Sequence, residues 1–379
     1  MPNGLLDLVK EDGWNGWGQC SKHKRPHNWA SRMSEAVRLI DNARGETPLT
    51  WGAKMEEAMG TDDFPLLMAD TIDRRMLAAY QATPRVMRAM FRYRTFSSMR
   101  TVKANSLNGV GSRLQQVEVQ GEYKNEGMSE LEYTYDPIKW GRQVQFNWEA
   151  MLNDDIGIFD RIPQDLAQAA ANTEEYFLTT LLFNAAGVLD SYFATADGGA
   201  GSISSNTLTI ANLGAAIQEM AVYTDTHGEP ILSRPRYLIV PPALEFTARE
   251  IITSTEKFWT GGDASSSTSS VAYPTPNVIA SYGLKVIVNP WIPVIVTTGT
   301  LKNTTWALIS DTVESAEFGE LRGHVGPELF MRTGNQQRLG GGTNPMDGSF
   351  ENDTIAYKVR LVNGGTTLDP RGGWASDGQ

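Results

Sequence analysis

The sequence predicts an α+β protein built from more than one domain. Three observations carry that reading. Residues 97–150 alternate apolar and polar side chains, as strands do. One long helix pattern occupies "DDIGIFDRIPQDLAQAAANTEEYFLTTLLFNAAG", Asp154 to Gly187. After it, short apolar strand runs interleave with helix patterns, and a late strand closes the series. At 379 residues the chain has room for about two or three average domains.

The elements follow in order. Residues 1–30 are rich in Gly, Trp and Asn with no steady period, and read as an irregular arm. Helix patterns follow around Trp29–Ala43 and Trp51–Met59, then a stronger one from Pro65 to Gln81. In the last, Leu67, Ile72, Met76 and Tyr80 roughly keep one face and Pro65 suits the first turn. The β region shows alternation at Val117 and Val119, at Leu131, Tyr133 and Tyr135, and at Val144, Phe146 and Trp148. Between the first two runs lies the polar stretch "QGEYKNEGMSE", Gln120 to Glu130, punctuated by Gly121 and Gly127. This predicts a long β-hairpin with a charged tip. An isolated hairpin is marginally stable in water, so it is expected to lie on something else.

In the long helix, Ile158, Ile162, Leu166, Ala169, Thr173, Phe177 and Leu181 fall at helical spacing. Asp160 is placed to cap the start, Pro163 is tolerable in the first turn, and Gly187 is placed to end it. Roughly 25 residues at about 1.5 Å each make a rod near 37 Å long. A Gly/Ser-rich stretch then leads to a short strand "TLTI" and a helix from about Leu213 to Tyr223. The strand Tyr237–Val240 is followed by Pro241, Pro242 and a helix pattern. "GGDASSSTSS", Gly261 to Ser270, reads as a mobile surface loop. Further β runs are Leu284–Val288 and Trp306–Ser310. The last is Thr354–Leu361, with Ile355, Tyr357, Val359 and Leu361 on one side.

Composition narrows the function. The net charge is −11, which disfavours general nucleic-acid binding, since that relies on neutralising phosphates. The charge is uneven: residues 20–45 hold six basic and two acidic side chains, leaving 27 basic against 42 acidic elsewhere. With one cysteine, Cys20, no intrachain disulfide can form. The opening "MPNGLLDLVKEDGW" lacks the long apolar core of a signal peptide, and the chain reads as the product of a reducing compartment. No stretch approaches the roughly 20 apolar residues of a helical membrane span, so no membrane partner is expected.

Motifs for chemistry are missing. There is no phosphate-binding glycine loop, dinucleotide fingerprint, zinc-protease helix or nucleophile elbow. Cys20, His23 and His27 have a spacing that suits three zinc ligands. A fourth is missing, however, and Lys22, Lys24 and Arg25 would repel the cation, so the segment reads as a basic arm. That arm either touches nucleic acid or forms a solvated or subunit-contacting face. Asp154 and Asp155 fit the acidic start of a helix better than a catalytic pair. No catalytic residue, metal site or cofactor is predicted, and the reading is non-enzymatic.

Six stretches taken together resemble the major capsid proteins of tailed bacteriophages with the Hong Kong 97 fold, and most closely the Mu-like major head subunit branch. They are "FPLLMADTIDRRMLAAY", "YTYDPIKWGRQVQFNWEAMLNDD", "GEPILSRPRYLIVPPALEFTA", "GLKVIVNPWI", "LRGHVGPELFM" and "YKVRLVNGGTTLDPRGGW". Their order and spacing carry the likeness more than any one of them.

The resemblance implies roles. Residues 1–63 would be an amino-terminal arm inside a shell, with Lys22, Lys24 and Arg25 facing the lumen and its DNA. Residues 64–96 would lead into the peripheral domain. Residues 97–150 would form the extended loop over a neighbouring subunit, touching it through Gln120, Gly121, Glu122, Tyr123, Lys124, Asn125, Glu126 and Gly127. Residues 151–187 would hold the spine helix, 188–340 the axial domain with some peripheral-domain strands, and 341–379 the return strand and carboxy-terminal tail. The Tyr237–Val240 strand and its prolines would then be a rigid part of a wedge-shaped building block.

The implied function is self-assembly, as hexamers and pentamers, into an icosahedral shell around double-stranded DNA. Assembly would take place in the bacterial host cytoplasm. The implied partners are other copies, a portal, a decoration or cement protein, and a separate scaffolding protein, because the family-like text begins near residue 64. Lys124 lies at the hairpin tip, but no partner for an isopeptide cross-link is identifiable. An encapsulin-like cellular compartment shell of the same fold is the alternative; a β-rich tail protein fits poorly with the long helix.

Overall fold

The computed structural model describes residues 76–108, 116–117, 119, 123, 129–147, 149, 158–193, 203–225, 228–259, 273–332 and 349–379. Helices and strands mix throughout, as an α+β chain requires. The early strands are β1 (Arg92–Phe96), β2 (Val102–Asn108), β3 (Ser129–Tyr135) and β4 (Ile138–Asn147). Helix α1 (Ile158–Thr180) follows, then the short strands β5 (Phe183–Asn184) and β6 (Gly187–Val188). Next come α2 (Ile210–Ala221), β7 (Pro235–Val240), α3 (Glu245–Thr253), β8 (Glu256–Trp259), β9 (Tyr273–Pro276) and β10 (Lys285–Val288). The chain ends with β11 (Trp306–Ser310), β12 (Ala316–Leu321), β13 (Glu328–Met331), β14 (Thr354–Thr367) and β15 (Gly373–Ser376). No helix among the described residues is long and apolar enough to cross a membrane.

The chain divides into two units that each draw on separate stretches. The first takes residues up to Thr83, Lys139–Ala171 and Arg322–Val362. In it, β14 pairs antiparallel with β13, from Glu328↔Arg360 to Met331↔Tyr357, and also pairs with β4. Its core joins Met76 and Tyr80, from the helical residues 76–82, to Leu166, Ala167, Ala170, Ala171 and Val359. Ile162, Val144 and Leu329 pack against it. Ile162, Leu166 and Ala170 are four apart and so share one face of α1.

The second unit takes Pro84–Ile138, Asn172–Leu321 and Asn363–Gln379. Its four-stranded sheet has the order β10-β7-β11-β15, with β7 and β10 parallel and β11 antiparallel to both its neighbours. Every residue of β11 is buried, which accounts for the uninterrupted "WALIS". Leu213, Ala216 and Met220 of α2 and Ala248 and Ile251 of α3 meet Leu238, Leu308, Trp306 and Trp374 in one core. Both buried indoles are satisfied: Trp306 Nε1 donates to the Asn206 carbonyl at 3.0 Å and Trp374 Nε1 to Glu219 Oε2 at 2.9 Å. In the same unit β12 pairs parallel with β1 and antiparallel with the last residues of β14.

Several sequence expectations change. "TLTI" is not a strand: Thr209 is the N-cap of α2, its Oγ1 accepting from Asn212 N at 3.2 Å, and Ile210 opens the helix. That helix therefore runs about three residues earlier than the periodicity predicts. Asp160 lies inside α1, which already begins at Ile158, and Pro163 lies in its interior. The helix ends at Thr180, not at Gly187. Gly187, at φ 139°, instead forms the tight β5–β6 hairpin, where an added Cβ would sit 2.6 Å from Asp377 Oδ1. Val117 and Val119 are not in a strand; the hairpin's first arm is β2. The late strand is six residues longer than predicted, continuing through Gly364 and Gly365. Of the Pro65–Gln81 pattern, residues 76–81 are helical as expected; the two earlier helix patterns lie outside the described residues.

Candidate functional site

The hairpin β2–β3 is the first candidate contact surface. It pairs in unbroken antiparallel register from Val102↔Tyr135 to Asn108↔Ser129. Its base is fixed by three kinds of bond. Tyr135 is buried and its hydroxyl donates to Glu317 Oε1 at 3.0 Å. Arg94 Nη1 donates to the Lys103 carbonyl at 2.9 Å, and Thr101 Oγ1 to Asp136 Oδ1 at 2.7 Å. Lys103 and Glu132 form a cross-strand ion pair at 2.8 Å. The Tyr135 ring also explains Gly319, because a Cβ there would come within 2.5 Å of the hydroxyl.

Beyond the paired strands, Val119 is 97% exposed and Tyr123 85% exposed. Tyr123 is therefore presented to solvent. Gln120, Gly121, Glu122, Lys124, Asn125, Glu126 and Gly127 lie outside the described residues. So do Lys22, Lys24 and Arg25, together with Cys20, His23, His27, Asp154, Asp155 and the Gly261–Ser270 segment.

The second feature is a buried ionic cluster that the sequence reading missed. Glu174 accepts from Arg85 Nη1 and Arg88 Nη1, both at 3.3 Å. Arg88 Nη2 reaches Glu320 Oε2 at 2.8 Å, and the Tyr93 hydroxyl donates to the same oxygen at 2.8 Å. Burial, and then the Glu320 bond, push the Tyr93 phenol up to about 12. Glu175 accepts instead from the Met87 backbone N–H, at 3.2 and 3.3 Å. Its burial raises the carboxyl to about 7, which the Met87 bond only partly offsets. A signal was available: Ala170, Glu174 and Leu178 are four apart, so a carboxylate interrupts an apolar stripe opposite the arginine-rich "RVMRAMFRYR".

The cluster can hold Arg85–Arg94 to the helix and to β12, but it offers no nucleophile. Among the described residues no group of three or more His, Cys, Asp or Glu could hold a metal ion.

The third feature is the strand–proline–helix joint. Pro241 is extended, Pro242 opens a 3-10 turn to Leu244, and α3 starts directly at Glu245. Its backbone is committed: Asn289 N donates to the Val240 carbonyl at 2.9 Å. At its end stand apolar side chains, not chemistry. Phe246 is 85% exposed and Val278, on the adjacent 3-10 turn, 71% exposed.

The sequence matches the model of the phage capsid protein family over residues 131–376, well over half of the chain. That match defines a structural protein of the virus particle. The chain belongs to the phage capsid protein family: it is a major capsid protein of a bacteriophage virion, located in the capsid and acting through association with its own copies. No curated protein matches it in sequence at a significant level.

Solved structures similar to it include one from Microbacterium phage Oxtober96 (11% identity, 78% of this chain and 86% of that one, TM-score 0.45). Another is the virus-like particle from Pyrococcus furiosus (10% identity, 82% and 99%, TM-score 0.44). A third is the capsid of the cyanophage P-SCSP1u (12% identity, 76% and 86%, TM-score 0.43). At such TM-scores they assign no residue a role.

Proposed function

We propose that this capsid protein assembles as hexamers and pentamers of an icosahedral shell of the Hong Kong 97 type, enclosing double-stranded DNA and catalysing no reaction. The observation that carries the reading is the hairpin. Its base is fastened by Tyr135, Arg94 and Thr101, while Val119 and Tyr123 beyond the paired strands stand almost fully in solvent. A firmly rooted loop with exposed apolar side chains suits contact with a second subunit.

On this reading residues 97–150 are the extended loop and 151–187 contain the spine helix. The joint carrying Phe246 belongs to the axial domain, and residues 1–63 form the inner arm. The Mu-like branch, assembly in the host cytoplasm, and a portal, separate scaffolding protein and decoration protein complete the proposal.

Deletion of Gln120 to Glu130 tests it. The variant should remain soluble and form small oligomers but no closed shells under negative-stain microscopy. Normal particles from that variant would remove the extended-loop role. Particles that hold a protein cargo and no DNA would favour the encapsulin-like alternative.

A further inference from the structure

We infer that the outward face of β4–β14–β13 is a phosphate-contacting surface for double-stranded nucleic acid, a site separate from the amino-terminal arm. The inference rests on the reading that the shell encloses DNA.

The two faces of this sheet can be told apart. Val144, Leu329 and Val359 pack into the core of the first unit, and Phe146 stacks on Tyr357 with ring centroids 5.7 Å apart. Side chains alternate along each strand, so their neighbours point the other way. On β4 these are Lys139, Gln143, Gln145 and Asn147, all exposed. On β14 they include Lys358 and Arg360, and on β13 Glu328 and Phe330, with Arg332 just beyond the strand end.

This face has an unusual charge for so acidic a chain. It presents Lys139, Arg332, Lys358 and Arg360 against one carboxylate, Glu328. Glu328 is already engaged, bonding Arg360 Nε at 3.0 Å and the His324 ring. Among the described residues Lys139, Arg332 and Lys358 form no ion pair. Phe330 fixes the geometry: Lys358 Nζ lies 5.0 Å and the Arg360 guanidinium 4.6 Å from its ring centroid. An apolar partner would have to desolvate these cations. A polyanion with evenly spaced charges would neutralise them, and the amide side chains of Gln143, Gln145 and Asn147 supply neutral donors to phosphate oxygens.

The experiment uses the purified full-length chain before assembly and a labelled duplex of about 30 base pairs of mixed sequence. The triple variant Lys139→Gln/Arg332→Gln/Lys358→Gln removes three cations and leaves the Arg360–Glu328 pair in place. Three phosphate contacts predict that wild-type affinity through this face falls roughly 40-fold between 50 and 200 mM salt. The variant should lose that increment, flattening the logarithmic salt slope by about 3, whatever the arm contributes. Lys139→Arg/Lys358→Arg, which keeps the charge, should bind as wild type does, and a urea-unfolding midpoint of the triple variant equal to wild type separates lost charge from misfolding.

An unchanged salt slope in the triple variant overturns the inference. So does a variant that binds DNA normally but forms no shells, because the face would then meet an acidic surface of another copy. Wild-type chain that binds DNA in this way but never forms shells would sink the shell reading while leaving the contact measured.

Discussion

Glu175 shows how one buried group sets a pH dependence. Its carboxyl is raised to about 7 by burial, beside Glu174 and near Arg85, with the Met87 N–H as its hydrogen-bond donor. Raised above its unfolded value, it binds its proton more tightly in the folded chain. Its stabilising contribution is complete below about pH 4.5 and is lost as pH rises through about 7. The wild-type chain should therefore lose up to about 3 kcal/mol between pH 4.5 and pH 8 from this group alone. Glu175→Gln keeps an acceptor for Met87 and removes the titration. Urea unfolding of both proteins across that range should show the wild-type midpoint falling relative to the variant as pH rises. Parallel midpoints would mean that Glu175 titrates as an ordinary carboxyl.

At the scale of elements, the junction between α3 and the 3-10 turn Val278–Tyr282 hangs on Asn277. Its Nδ2 donates to the carbonyls of Ile251 at 2.7 Å and Ser254 at 3.0 Å, while its Oδ1 accepts from Ile279 N at 3.1 Å. The side chain is buried, so Asn277→Ala leaves backbone groups without partners and should cost about 3 kcal/mol in denaturant unfolding. Asn277→Asp should be at least as damaging, because a carboxylate would face two carbonyl oxygens. Recovery of stability with aspartate would show that the cap alone matters.

Legibility of the elements followed the same physics. Helix α1 was readable because its buried face repeats every three to four residues over 23 residues. Strand β11 was readable as a continuous apolar run. By contrast, β1, "RYRTF", looks polar in sequence, since its arginines are neutralised by Glu314 and Glu317, which lie more than 200 residues away. "TLTI" misled because Thr209 favours either a strand or a cap, and only Asn212 decides. At the candidate contact surface, Tyr123 is exposed, while the polar, glycine-bounded stretch around it lies outside the described residues. For the Arg85–Glu174–Arg88–Glu320 cluster the sequence shows a carboxylate in an apolar stripe but not its partners, because the members come from three separate parts of the chain.

At the scale of the whole molecule, the proposed enclosure of DNA gives the uneven charge of the sequence a consequence that can be tested. Residues 20–45 carry +4, while the remainder carries −15. A mostly acidic shell lining would not trap the packaged polymer, and a short basic arm could tolerate it through few, salt-sensitive contacts. The arm is therefore expected to face the lumen. Lys22→Gln/Lys24→Gln/Arg25→Gln should leave empty-shell assembly intact and lower the thermal stability of DNA-filled particles only modestly. Limited proteolysis gives the sharper reading. The peptide bonds after Lys22 and Lys24 should resist trypsin in intact particles and be cut once the particles are disrupted. Rapid cleavage there in intact, DNA-filled particles would place the arm outside the shell and leave its charge without a lumenal role.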